Sequence, residues 1–189
     1  MSNLDDDQRL MQPVKVPMRP LALRYGLMIG LALFVIGLLL QFSGVVDPVE
    51  QKGTSVNMLV GVAILLGGLY IAVREYKKES GNLITFGRAL GFGTLTLVFI
   101  CLVTFITSWL NFTVIDPGMV DQIREMSDQR MREQGMDDDA IEQAKGMLNI
   151  FTSPIVMSIM GAIFFFFFGF ICALITAAIH NNAKPAANI

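Results

Sequence analysis

The fold class that the sequence predicts is all-α: a four-transmembrane-helix bundle with an extramembrane amphipathic helical hairpin between helices three and four. Three observations predict it. The chain of 189 residues is 53% hydrophobic and only 16% charged, whereas a soluble domain is about a quarter charged. The charges are also unevenly spread, being absent from residues 25–46, 53–73, 89–115 and 146–179. Each run can hold the ~20 apolar residues that cross a bilayer core. In lipid the backbone must bond internally, which selects helix. Finally, residues 163–168 are unbroken apolar, unlike the ~10-residue alternating strands of a membrane barrel.

The elements follow in chain order. Residues 1–20 are polar and punctuated by Pro13, Pro17 and Pro20, which predicts a disordered tail. Helix one is expected over 21–44; it is too long for a cleaved signal, has no small-residue cleavage site after it, and reads as an uncleaved anchor. A short loop with Asp47-Pro48 and Gly53 leads to helix two, over 56–73. A charged turn over 74–81 precedes helix three, over 86–115. Ser153-Pro154 opens helix four, over 154–180, with an N-cap and a proline at the first helical position. Residues 181–189 form a second tail. The bilayer itself is thus the first partner, and the chain is multi-pass.

Lysine and arginine counts orient it. With the N-terminus inside, inner segments hold Arg9, Lys15, Arg19, Arg24, Arg74, Lys77, Lys78, Arg88 and Lys184, nine against the outer five of Lys52, Arg124, Arg130, Arg132 and Lys145. The positive-inside rule therefore predicts both termini in the cytoplasm. Trp109, Tyr25, Tyr70 and Tyr76 are placed near span ends as aromatic-belt residues.

The segment 116–153 carries nine acids and four bases. Asp116 can cap a helix whose first residue is Pro117, with Val120, Ile123, Ser127 and Met131 near one face and Gly135 as its stop. Asp137, Asp138 and Asp139 favour the start of a second helix, and Asp139 with Glu142 has capping-box spacing. Ile141, Ala144, Leu148 and Phe151 form its apolar stripe. The segment reads as an amphipathic helical hairpin against the bundle or the membrane surface.

A span ending Phe112-Thr113-Val114-Ile115-Asp116-Pro117, then Arg132-Glu133-Gln134-Gly135-Met136, Ile141-Glu142-Gln143-Ala144, and Ser153-Pro154 opening a Gly/Phe-rich last span, resembles a bacterial family of four-helix integral membrane proteins. That family is catalogued as a domain of unknown function (DUF 4199). The resemblance covers roughly residues 20–180 and is compositional. It implies an inner-membrane location and no activity, so no functional residue is carried over.

Small and polar residues line seams at helical spacing: Gly26, Gly30 and Gly37 on helix one, Gly61 and Gly68 on helix two, Thr104, Ser108 and Asn111 on helix three, and Gly169 on helix four. Their expected role is close helix packing; the alternative is a polar path along Thr94, Thr104, Ser108 and Asn111. Gly87 and Gly91 have the spacing of a close-packing pair. The run Phe164 to Phe168 reads as lipid-facing filler, and Cys101 and Cys172 as small buried hydrophobes. Asp47-Pro48 and Asp116-Pro117, with Arg19 and Arg88, have the spacing of two parallel helix pairs or of a coincidence of caps.

No catalytic, cofactor-binding or metal residues are predicted. His180 is the only histidine and there is no Cys/His cluster. The spans hold no acid, which weighs against an ion-coupled transporter. No phosphate loop, zincin motif or nucleophile elbow occurs, and no basic block for nucleic acid. The leading expectation is a non-enzymatic protein of the cell envelope acting through association, with itself or with an envelope partner reached through the acidic outer hairpin. The alternative is a small oligomeric transporter or channel.

Overall fold

A computed structural model describes residues 17–47, 50 and 52–182. Of the expected tails, residues 1–16 and 183–189 lie outside the described residues, as does Pro48 of the proposed repeat. The described chain is helical: α1 (Met18–Phe42), α2 (Thr54–Glu79), α3 (Phe86–Leu110) continued by a π turn (Asn111–Ile115), α4 (Met119–Glu133), α5 (Asp138–Phe151) and α6 (Pro154–His180). Among the described residues there is no strand, only a single bridge between Asp47 and Lys52. Four stretches of 25, 26, 30 and 27 residues are long and apolar enough to cross a membrane: α1, α2, α3 with its π turn, and α6. At ~1.5 Å per residue such helices reach about 38–45 Å, more than the ~30 Å hydrocarbon core. The chain is a multi-pass membrane protein.

Several ends differ from the sequence expectation. α1 starts three residues early, with Arg19 and Pro20 in its first turn, where proline costs no helical hydrogen bond. α2 runs on through Arg74–Glu79 because Tyr76 is a core residue there. It is fully buried, its ring stacked on Phe92 at 4.4 Å and 5°. Its hydroxyl takes a hydrogen bond from Arg88 at 3.0 Å. Tyr76 is therefore not a belt residue, whereas Tyr70 and Trp109 are exposed.

The start of α4 is also displaced. The π turn prolongs the third span, and the Asp116 N–H is taken by the Asn111 carbonyl at 2.9 Å. Asp116 thus closes one helix instead of capping the next, which begins at Met119 behind Gly118. At the far end of α4 the expected stop holds. Gly135 has φ +75°, and its N–H and that of Met136 bond back to Arg132 and Met131 carbonyls, a Schellman closure. The α5 cap is Asp137, not Asp139: its carboxylate accepts the Ala140 N–H at 2.7 Å. α6 begins as expected at Pro154, with Ser153 Oγ accepting the Val156 N–H at 3.4 Å.

The helices divide between two compact units. Described residues 17–30, 62–100 and 166–182 form the first; residues 31–61 and 101–165 form the second. The first has a dense core of Ala22, Ala72, Val73, Tyr76, Ile84, Ala89, Phe92 and Ala177. The second buries less; Met119, Val120 and Ile141 are its main sealed apolar groups outside the spans.

Candidate functional site

In the first unit, the close contacts are made by small residues. A Cβ added at Gly26 would lie 2.5 Å from Phe99 Cβ and 3.1 Å from the Thr96 carbonyl oxygen. At Gly68 it would meet Ile29 at 2.7 Å, and at Gly169 it would run into the Leu97 side chain. Gly30 is buried. Gly37 and Gly61, by contrast, have nothing within 4 Å of such a Cβ, and neither do Gly87 and Gly91. The structure therefore brings Gly26, Gly68 and Gly169 into packing contacts and leaves Gly37, Gly61, Gly87 and Gly91 open. An apolar interior and an apolar solvent make no distinction that glycine spacing alone can read.

The same unit ends in a clasp that the sequence reading assigned to a tail. Asn182 pairs with Ile84 through both backbone and side chain, at 3.2 Å each, and its amide donates to the Asn82 carbonyl at 2.9 Å. Asn181 accepts the Phe86 N–H at 3.1 Å. Together they satisfy backbone donors that the start of α3 would otherwise leave open. The paired asparagines just after the last apolar helix were the available signal. His180 is buried, its Nδ1 2.9 Å from the Thr176 carbonyl and its ring 4.7 Å from that of Tyr70. Among the described residues no group of three or more histidines, cysteines or acids converges on a metal-sized site.

Within the spans, several hydroxyls are turned on their own helices. Thr96, Thr107, Ser158 and Thr176 each donate to the carbonyl four residues back, at 2.7–2.9 Å. Thr104 and Ser108 are half-buried. Asn111 is the exception: its side-chain oxygen is sealed from solvent with no hydrogen-bond partner among the described residues, and it opens the π turn. Of the phenylalanine run, Phe164 and Phe167 are exposed and the other three half-buried, as a run wrapping a helix must be.

The second unit holds a cleft of about 260 Å³ lined by Asp47, Glu50, Gln122, Glu125, Met126 and Gln129. Three carboxylates face it with two amides, and no lysine or arginine is on its described wall. Asp47 shapes one side by accepting the Glu50 N–H at 3.1 Å. Beside it α4 and α5 are tied by ion pairs, Lys145 to Asp128 at 3.0 Å and Arg132 to Asp138 at 3.4 Å, with Arg132 also 3.4 Å from Asp128 on its own helix. Those contacts, Lys145 first, hold the Asp128 carboxyl below the ordinary aspartate range. Arg124 donates to Thr152 Oγ1 at 2.8 Å, fixing α4 to the corner before α6.

A family model described as "Protein of unknown function (DUF4199)" matches residues 24–182. The chain belongs to this family. The match takes in all four spans and the α4–α5 pair between them, so those parts belong to the DUF4199 domain and none is an appendage. No curated protein and no solved structure matches it. For this DUF4199 chain the acidic cleft is the candidate site, because it brings three carboxylates together.

Proposed function

We propose that this DUF4199 chain is a non-enzymatic protein of the bacterial inner membrane, both termini cytoplasmic, that acts by association. In this reading α4 and α5 form a hairpin outside the spans that rests against the membrane on the outer side, and the acidic cleft receives a cationic segment of an envelope partner or of a second copy. The observation that carries it is the cleft's wall, which gathers the carboxylates of Asp47, Glu50 and Glu125 with the amides of Gln122 and Gln129. The hydroxyls of the spans lend support, since Thr96, Thr107, Thr113, Ser158 and Thr176 are bonded to their own helices. A cation docking there is attracted by the clustered carboxylates, and the attraction is screened over ~10 Å at 0.1 M salt.

The test replaces residues 118–150 with a glycine-serine linker in the full chain. The variant is expected to insert and stay folded while losing the partner that co-purifies with the parent in mild detergent, and the parent complex is expected to weaken as salt rises. A linker variant that retains every partner overturns the reading.

A further inference from the structure

We propose that the last two turns of α5 are a membrane-embedded elbow: Met147, Ile150 and Phe151 sit among the acyl chains of the leaflet at which α6 begins. The inference holds for either orientation of the chain and does not depend on any partner of the acidic cleft.

Helix α5 has two apolar faces where a surface helix has one. The first faces the protein. Ile141 and Thr152 are buried and Ala144 and Leu148 half-buried, at spacings of three and four. This corrects the stripe drawn from sequence, which ended on Phe151 where the structure has Thr152. The second face is uncovered. Met147 and Ile150 are each 65% exposed and Phe151 54%, again three and four apart. Three large apolar side chains side by side on one helix face mark an interaction surface.

Two further observations identify what covers it. Polarity changes along the helix axis: Asp138, Asp139, Glu142 and Lys145 all fall in its first eight residues, and no charge follows from 146 to 179. The last cation, Lys145, is turned to Asp128 of α4. The exposed face is also followed directly in the chain by a membrane face. Only Thr152 and Ser153 separate α5 from α6, whose Ile155, Ile159 and Ile163 are exposed at spacing four on a span that lipid surrounds. The uncharged run that makes α6 a span therefore begins inside α5. A helix with one apolar edge and a charged far end lies in the interface with that edge in the acyl boundary.

The test uses the full chain with Cys101→Ala and Cys172→Ala, reconstituted in phosphatidylcholine vesicles, with single spin labels at 143, 147, 150, 151 and 159. Residue 143 shares the outer face of α5 one to two turns before the elbow; 159 is the lipid reference on α6. The ratio of oxygen to nickel-chelate collisions is expected to be severalfold higher at 147, 150 and 151 than at 143, and close to that at 159. A ratio at 150 equal to that at 143 places the elbow in water and overturns the proposal. Low collision with both reagents means that protein, such as a second copy, covers the face, and overturns it equally. If a label disturbs the fold, seen as lost helical signal, Ile150→Trp in a Trp109→Phe background replaces it. Brominated acyl chains must then quench the tryptophan, and absence of quenching overturns the proposal.

Discussion

Gly26 and Gly37 lie eleven residues apart on α1, three turns and so on nearly one face, yet they face different surroundings. Gly26 abuts the α3 backbone, and Gly37 abuts nothing within 4 Å. Gly26→Ala must push α1 from α3 and should cost about 1–3 kcal/mol, the range for overpacking. Gly37→Ala should be neutral or stabilising by up to ~1 kcal/mol, since alanine is the better helix former. Thermal unfolding of the two variants in detergent checks this: equal shifts would mean that the contact at Phe99 is not limiting. Gly53 adds backbone strain to contact. Its φ is +70° and an added Cβ would collide with the Val45 carbonyl, so Gly53→Ala should destabilise by about 1–3 kcal/mol. Asn182 shows the value of a polar group placed where a helix starts. Asn182→Ala removes the side-chain partners of Ile84 N–H and the Asn82 carbonyl and should cost about 1–3 kcal/mol, with faster amide exchange over residues 82–86 as its local signature.

At the scale of the element, ion pairs cross between α4 and α5. Asp128 takes Lys145 and Arg132, which hold its carboxyl below the ordinary value of 3.8. A depressed acid contributes stability that is fully present above its unfolded value and is lost as pH falls through its lower folded value. The pair should therefore stay closed through neutral and mildly acidic conditions and loosen only below about pH 4. Spin labels at Glu133 and Asp139 should report broader separations for Asp128→Asn at neutral pH, and for the parent only in strong acid. A parent that loosens near neutrality would exclude Asp128 as the controlling group. These two helices also show what sequence can and cannot disclose. Gly135 was legible because a left-handed residue after a helix is almost a glycine signature. Ser153-Pro154 was legible because cap and proline act within one turn. The α4 start was not, because a π turn inserts itself where local chemistry alone would put a cap. The second apolar face of α5 was not, because Phe151 fits the periodicity of either face and only the packing of Thr152 decides between them. The acidic cleft was half legible: the charge excess stood in the sequence, but Asp47 and Glu50 lie 78 and 75 residues before Glu125, with which they line the cleft.

For the whole molecule the decisive quantity is the distribution of lysine and arginine across the bilayer. With the N-terminus inside, nine fall on the inner side and five on the outer. The count alone is a modest bias, but the rule weighs charges by their distance from span ends. Arg74, Lys77, Lys78 and Arg88 are near the ends of α2 and α3, whereas Arg124, Arg130 and Arg132 lie on α4, beyond its first turn and away from the end of the third span. Lys77 also donates to the His180 carbonyl at 3.2 Å, which puts a cation at the negative end of α6, where a helix dipole favours it. The distribution therefore predicts that Glu79 lies on the cytoplasmic side and Gln134 outside. Both are exposed, while the neighbouring Ser80 is fully buried and unsuited to labelling. Single cysteines at 79 and 134, in a chain lacking Cys101 and Cys172, can be challenged in intact cells with a membrane-impermeant maleimide. Position 134 should react at once, and position 79 only after the membrane is opened. Reaction at 79 in sealed cells reverses the orientation, and with it the side from which the acidic cleft meets a partner. Reaction at both positions means that the charge bias is too weak to hold one orientation, so that the chain inserts both ways. In neither case would the lipid contact of the α5 elbow change, because that contact depends on where charge stops along the chain and not on which compartment faces it.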